Sequence, residues 1–252
     1  MIRVLFSDLK RAVGNWGLMV GICGTWIAGL CGVFVMIVSV KGGMGLGENV
    51  VCFTIAQTAL SSELFLLIIP ITSSISYTAV FMEEFRSRFI LSYLPRAGRR
   101  RYLISKSLVT ALSGGITVVC GMLLIFITCL IIFPPDKFQQ ELFLNYFSVY
   151  NRFFWEGMAL CFLNGCLWAL AGGMMAAITK NKYMSYAAPF ILYYILTAFQ
   201  KRYYGTLHYL NPQEWASPKY ISISQAALIL SCICTILCLI YCYLMRRRLE
   251  NV

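Results

Sequence analysis

The residues able to do chemistry are few and sit mostly in one place. Glu83-Glu84-Phe85-Arg86-Ser87-Arg88 sets two adjacent carboxylates ahead of two guanidiniums. Adjacent carboxylates can hold a metal or handle a proton, but both tasks need imidazole or thiolate partners nearby. The chain has 1 histidine, His208. With no second imidazole, neither a metal centre nor a general-base pair can be assembled. Eleven cysteines are present. Cys23, Cys31, Cys120, Cys129, Cys161, Cys166, Cys232, Cys234, Cys238 and Cys242 lie inside apolar runs, Cys52 lies in a connection, and no C-x-x-C pair occurs. They read as small, polarizable packing residues, with Cys234, Cys238 and Cys242 sharing one helix face. No nucleophile–base pair for acyl or phosphoryl transfer is apparent. The chain is therefore expected to be no enzyme, with no catalytic residue, no metal site and no cofactor of its own.

Composition explains that scarcity. Of 252 residues, 60% are hydrophobic and 12% charged, about half the charged fraction of a soluble domain. Mean hydropathy is +0.74. The chain is expected to be an all-α integral membrane protein forming a single transmembrane domain over 1–252, with no loop long enough for a separate catalytic domain. The net charge of +11 is clustered beside the ends of apolar runs. That pattern suits membrane topology and anionic lipid headgroups, not nucleic acid.

The elements that must position the charged residues are helices. Apolar runs assign six spans, Leu18–Val40, Leu64–Phe81, Leu108–Phe133, Gly157–Thr179, Tyr183–Phe199 and Ile221–Met245, each near the ~20 residues a bilayer requires. The first run exceeds a signal-peptide core and reads as a span. None of the six ranges contains Asp, Glu, Lys, Arg or His, which argues against a self-powered, ion-coupled transporter. Residues 1–16 are expected to hold an interfacial amphipathic helix, with Ile2, Leu5, Phe6, Leu9 and Val13 on one side and Arg3, Lys10 and Arg11 off that stripe.

Between the second and third spans, Met82–Lys106 carries seven of the 21 Lys+Arg. Phe85, Phe89, Ile90 and Tyr93 form one stripe, so 83–95 is expected to be a short amphipathic helix ended by Pro95. With both termini on the same side as this linker, the inner segments hold 15 cations and the outer ones, Lys41, Lys137, Arg152, Lys201, Arg202 and Lys219, hold six. The asymmetry puts the linker and both termini in the cytoplasm. Small residues recur at a four-residue step, as Gly17, Gly21, Thr25 and Gly29 in the first span and Gly165, Ala169, Gly173 and Ala177 in the fourth. Such faces serve packing within the chain or a subunit interface. Pro70 and Pro189 permit kinks. The glycine-rich start of 41–62 reads as a flexible turn without phosphate-loop context. The aromatic segments 134–156 and 200–220 read as short helices in the outer headgroup layer.

This layout resembles the ABC-2-type permeases of ATP-binding-cassette exporters. The resemblance covers essentially the whole chain: an amphipathic N-terminal helix, six spans, and the linker Glu84…Leu91-Ser-Tyr-Leu-Pro95-Arg-Ala-Gly-Arg99-Arg-Arg-Tyr102-Leu-Ile-Ser-Lys106, with Thr179–Leu192 similar to the turn into the fifth helix. It implies a coupling helix at 83–95 that docks on a separate ATPase subunit carrying ATP and Mg. Glu83, Glu84, Arg86, Arg88, Pro95 and Arg99 would lie at that interface, 200–220 would be an outer re-entrant segment, and a second permease half would complete a homo- or heterodimer. The expected role is export across the plasma membrane, of a bacterial cell, of a hydrophobic or amphipathic cargo, with peptide favoured. The E-E-x-x-x-R spelling is also similar to that of intramembrane prenyl-protein-type proteases, whose further histidine motifs have no counterpart here. An immunity or sensor protein without transport could share the topology.

Overall fold

In the computed structural model, residues 2–41, 51–90, 93–94, 98–134, 137–203, 209 and 211–250 are described, the side chains of 2–3 and 137–153 excepted. The helices, in order, are α1 (Ile2–Val13), α2 (Trp16–Lys41), α3 (Val51–Ser61), α4 (Glu63–Ile75), α5 (Val80–Arg86), α6 (Arg99–Ile132), α7 (Lys137–Thr179), α8 (Lys182–Tyr203), α9 (Pro212–Ala216) and α10 (Ile223–Glu250). No strand occurs among the described residues. Among the described residues, five helical stretches are long and apolar enough to cross a membrane: α2, α4 with α5, α6, α7 from Phe154, and α10. The chain is an all-α, multi-pass membrane protein. The range expected as a further span, Tyr183–Phe199, lies within the 22-residue α8.

Helix α6 has 34 residues and so runs about 51 Å, well beyond a hydrocarbon core of about 30 Å. Its first two turns, Arg99 to Lys106, extend past the apolar stretch, and the linker packs on them. Helices α6 and α7 meet where backbones touch: a Cβ on Gly165 would lie 2.6 Å from the Gly114 carbonyl oxygen and 2.9 Å from Val118. The stripe on α2 is used in the same way. A Cβ on Gly21 would meet Thr117 of α6 at 2.6 Å and the Thr72 carbonyl of α4 at 2.7 Å. Gly17 backs onto Ile75, Gly29 onto Ile125, and Gly173 onto Tyr241 of α10. Thr25 is fully buried. Both small-residue faces, Gly17/Gly21/Thr25/Gly29 and Gly165/Ala169/Gly173, therefore seat helices of this same chain. Between apolar helices in lipid, such close approach replaces the hydrophobic drive as the source of packing energy.

Three local elements differ from the sequence expectations, while 200–220 holds a short helix as its pattern suggests. The stretch 83–95 is not one continuous helix: α5 ends at Arg86, and a turn at Ser87–Arg88 follows, with Arg88 at φ 56°. Pro95 lies outside the described residues. Residues 137–156 are not a separate interfacial helix but the first turns of α7. With no glycine or proline from 136 to 156, nothing interrupts it. Part of the 41–62 connection is the buried helix α3, whose Ile55 and Ala59 are fully inaccessible; the glycine-rich turn itself lies outside the described residues. In the 200–220 stretch the described helix is α9, started by Asn211, whose Oδ1 accepts from Gln213 N at 3.1 Å. Its Trp215 packs tilted on Trp168, centroids 6.5 Å apart. His208 lies outside the described residues.

Cys234 and Cys242 bear out a packing role for their helix face. The Cys234 thiol reaches the Leu163 carbonyl at 3.6 Å, and Cys242 reaches Ser107 Oγ at 3.2 Å. All eleven cysteines are free thiols.

Replacing Gly165 with leucine forces side-chain atoms into the Gly114 backbone. Thermal melting in detergent should show a loss of at least the 1–3 kcal/mol typical of overpacking, about, whereas Leu at exposed Gly14 of the α1–α2 joint should change little.

Candidate functional site

The most concentrated polar chemistry among the described residues is where α1, α5 and α6 converge. Its anchor is Lys106, on the second turn of α6 and 1% exposed. Lys106 Nζ donates to Glu84 Oε1 at 2.8 Å and to Tyr77 OH at 3.0 Å. It also lies 3.1 Å from Asp8 Oδ1, an ion-pair contact out of line for a hydrogen bond, since that oxygen has no hydrogen-bond partner. Glu84 Oε1 also accepts from Arg11 Nη1 at 2.8 Å, and its Oε2 accepts from Tyr102 OH at 2.7 Å. Asp8 Oδ2 accepts from Ser105 Oγ at 2.7 Å. The ammonium sits 5.2 Å from the Tyr77 ring centre and 5.7 Å from that of Tyr102.

The cluster holds two carboxylates and two cations, so it is neutral as a unit. Asp8 and Glu84 are 1% and 4% exposed, and desolvating either alone would cost several kcal/mol, about, without its partner. Partial burial pulls the Arg11 pKa down, but Glu84 above all, with Tyr77 and Asp8, leaves it above its ordinary value. Nearly every polar atom is engaged. Such a cluster can hold three helices in register; it presents no free base or nucleophile.

Local sequence explains why the helices meet here. Thr72 to Thr78 is rich in hydroxyls that bond back to their own helix: Ser73 to the Ile69 carbonyl at 2.7 Å, Ser74 to Ile71 at 2.8 Å and Ser76 to Ser73 at 2.7 Å. Hydroxyls competing for main-chain carbonyls loosen a helix, and α4 ends in this run. The Ser76 carbonyl is taken up by Asn15 Nδ2 at 2.9 Å, and Asn15 Oδ1 accepts from Gly17 N at 3.3 Å at the start of α2. The α1–α2 joint is thereby fixed to the α4–α5 joint, which lays α1 along the start of α6 with Arg11 within reach of Glu84 on α5.

Helix α1 is three-sided. Phe6 and Val13, from its expected apolar stripe, are 66% and 51% exposed and face outward, while Asp8 and Ala12 are buried. Leu5 and Leu9 pack at the edge against Tyr77, Val109 and Val80.

The residues expected to meet a partner separate into three groups. Glu84 is inside and fully engaged. Glu83, Arg86 and Arg88 are exposed, Glu83 standing 3.7 Å from Lys182 of α8. Arg99 is half-buried and bound to the end of α10, donating to the Arg246 carbonyl at 2.8 Å and lying 3.2 Å from Glu250. A cleft of about 660 Å³ opens between α1 and α5, lined among others by Arg11, Asn15, Glu83, Glu84 and Phe89. Phe89 lies 5.5 Å under the Arg11 guanidinium and stacks on Tyr93, centroids 5.6 Å apart. Ile90 is buried with Phe81, Met82 and Tyr102. Sequence reasoning did not find Asp8, Arg11, Tyr77, Tyr102, Ser105 and Lys106 as one group. A signal existed in α1, where Asp8 falls one turn before Ala12 on the side shared with Leu5 and Leu9. Groups of three or more His, Cys, Asp or Glu placed to hold a metal are absent among the described residues.

Lys106→Met leaves Asp8 without its counter-charge and Glu84 with Arg11 alone. It should destabilise the protein by about 3–5 kcal/mol. In a double-mutant cycle read by thermal melting, Glu84→Gln should cost less in the Lys106→Met background than in the wild type. Additive losses would mean that the two side chains do not interact. Compared with known proteins, the chain matches no family model and no curated protein.

Proposed function

We propose that this chain is the membrane subunit of an ATP-driven exporter of the ABC-2 kind, working with a separate ATPase. The observation that supports this most directly is the buried joint of Asp8, Arg11, Glu84 and Lys106, which makes α1, α5 and the start of α6 one stiff body. A linker between two spans transmits force only if it moves with the helices it joins. Here Glu84 ties it to Lys106 on the next span, while the adjacent Glu83, Arg86 and Arg88 stay exposed on its outer side. In this reading Glu84 holds the linker from within, and Glu83, Arg86, Arg88 and Phe89 are the surface the ATPase pushes on, with the cleft beside Arg11 receiving one of its side chains.

The linker and both termini are then cytoplasmic, as the 15-to-six cation asymmetry favours. Helix α8 supplies the sixth span, and α9 is the outer element that dips back before the last one. ATP and Mg belong to the partner, and a second permease half forms the rest of the pathway in the plasma membrane of a bacterial cell. Cargo that is hydrophobic or amphipathic, a peptide first, suits spans whose apolar ranges carry no charge.

The test is co-expression with a candidate ATP-binding-cassette ATPase subunit, such as any found encoded beside this chain. Glu83→Lys with Arg86→Glu should abolish co-purification or uncouple ATP hydrolysis from peptide release by tenfold or more, about, since two surface contacts are reversed at once. Full coupling in that variant, or peptide release without any ATPase, overturns the proposal.

A further inference from the structure

The end of the bundle that carries the ionic joint has a second, separate charge feature on its outer flank. Helices α6 and α10 run antiparallel there. Arg99 meets Arg246 and Glu250, while Leu103 and Ser107 meet Cys242. In two antiparallel right-handed helices, the residue following each contact position turns to the same side of the pair, about 100° on. That places Ile104 and Leu108 of α6 beside Tyr243 and Leu239 of α10. All four are exposed, at 40%, 37%, 63% and 71%. One turn further out along the same two faces stand Arg100 and Arg247, both exposed. The pair of helices thus presents an exposed apolar furrow about one turn long on each helix, with two guanidiniums one turn further out.

Among the described residues, no carboxylate neutralises those two cations. Glu250 is shared by Arg99 at 3.2 Å and Arg246 at 3.1 Å, and Arg248 is turned inward onto the Ala177 and Ile178 carbonyls at 3.0 and 2.7 Å. Among the described residues no carboxylate lies within ion-pair distance of Arg100, Arg101 or Arg247. Helix α10 is also the least enclosed of the candidate spans, 17% of its apolar window being buried.

We propose that this furrow is a binding site for one anionic glycerophospholipid, its acyl chains along Ile104, Leu108, Leu239 and Tyr243 and its phosphate between Arg100 and Arg247. Planar guanidiniums grip phosphate oxygens in pairs, and juxtamembrane cations attract acidic headgroups. The apolar length below them distinguishes a lipid from a free phosphate. This site is independent of any ATPase.

The protein, purified in detergent and placed in nanodiscs of equimolar phosphatidylglycerol and phosphatidylcholine, is examined by native mass spectrometry. Phosphatidylglycerol should be retained in preference to phosphatidylcholine. Arg100→Gln with Arg247→Gln should lower its apparent affinity about tenfold or more, whereas Lys41→Gln at the opposite end of α2 should not. Leu239→Gln should weaken retention of the lipid as well, and glycerol 3-phosphate should not displace it. Equal retention of the two lipids marks an unspecific boundary lipid, displacement by glycerol 3-phosphate marks a small-phosphate site, and an unaltered affinity in the double arginine variant places the lipid elsewhere. Each of these results overturns the proposal.

Discussion

Everything at the basic end of this protein depends on charge neutrality in a buried place. Lys106 lies between Asp8 and Glu84, and Arg11 completes the balance from the half-exposed side. Any one of the three buried groups, Asp8, Glu84 or Lys106, alone would be expelled from such a site or would lose its charge. Together they oblige three helices to converge, because the carboxylates and cations are distributed over α1, α5 and α6. The tyrosines at 77 and 102 take up further hydrogen-bond positions, on Lys106 and Glu84. The rest of the bundle is held by a different means, the near-contact of backbones at Gly21, Gly114 and Gly165, which fixes distance but not height along the helix. Specific height comes from the ionic joint.

These two modes divide the labour along the bundle axis. In the apolar middle, packing is close and its polar groups are mild: Thr25 bonds to its own helix at Gly21, and Trp26 reaches Thr128 at 3.0 Å. Toward the opposite end, α3 and α9 fill the core, with Trp215 against Trp168 and Glu214 accepting from the main-chain N–H groups of Lys219 and Tyr220 at 2.7 and 3.0 Å. A bundle fastened rigidly at one end and packed with small elements at the other is suited to transmit displacement from the fastened end.

The fold was legible wherever apolar runs were long. The ranges around α2, α6, α7 and α10 follow directly from hydropathy, since a bilayer leaves a helix as the one economical solution for such a run. Less was legible at the ends. Glu84 reads outward from sequence because a carboxylate beside Glu83 and Arg86 suits solvent, and the partner that draws it inward is 22 residues away on another helix. Asp8 was hidden for the same reason at greater range. The break at Arg88 depends on a left-handed backbone at an arginine, which no local pattern announces. Helix α3 is 11 residues long, too short to register as a span and too apolar to stay on the surface. The outward face of the linker is the part of the candidate site that polarity alone could place.

The ionic joint also sets an order of assembly. Asp8 leaves the ribosome 97 residues before Ser105, and Lys106 follows that serine directly. Until α6 has entered the bilayer, the acid on α1 lacks the ammonium of Lys106 and stays among hydrated headgroups, with Phe6 and Val13 holding the helix at the interface. A segment synthesised well before α6 is consequently fastened only after it, and a chain halted before α6 leaves α1 lying on the membrane instead of docked against the other helices.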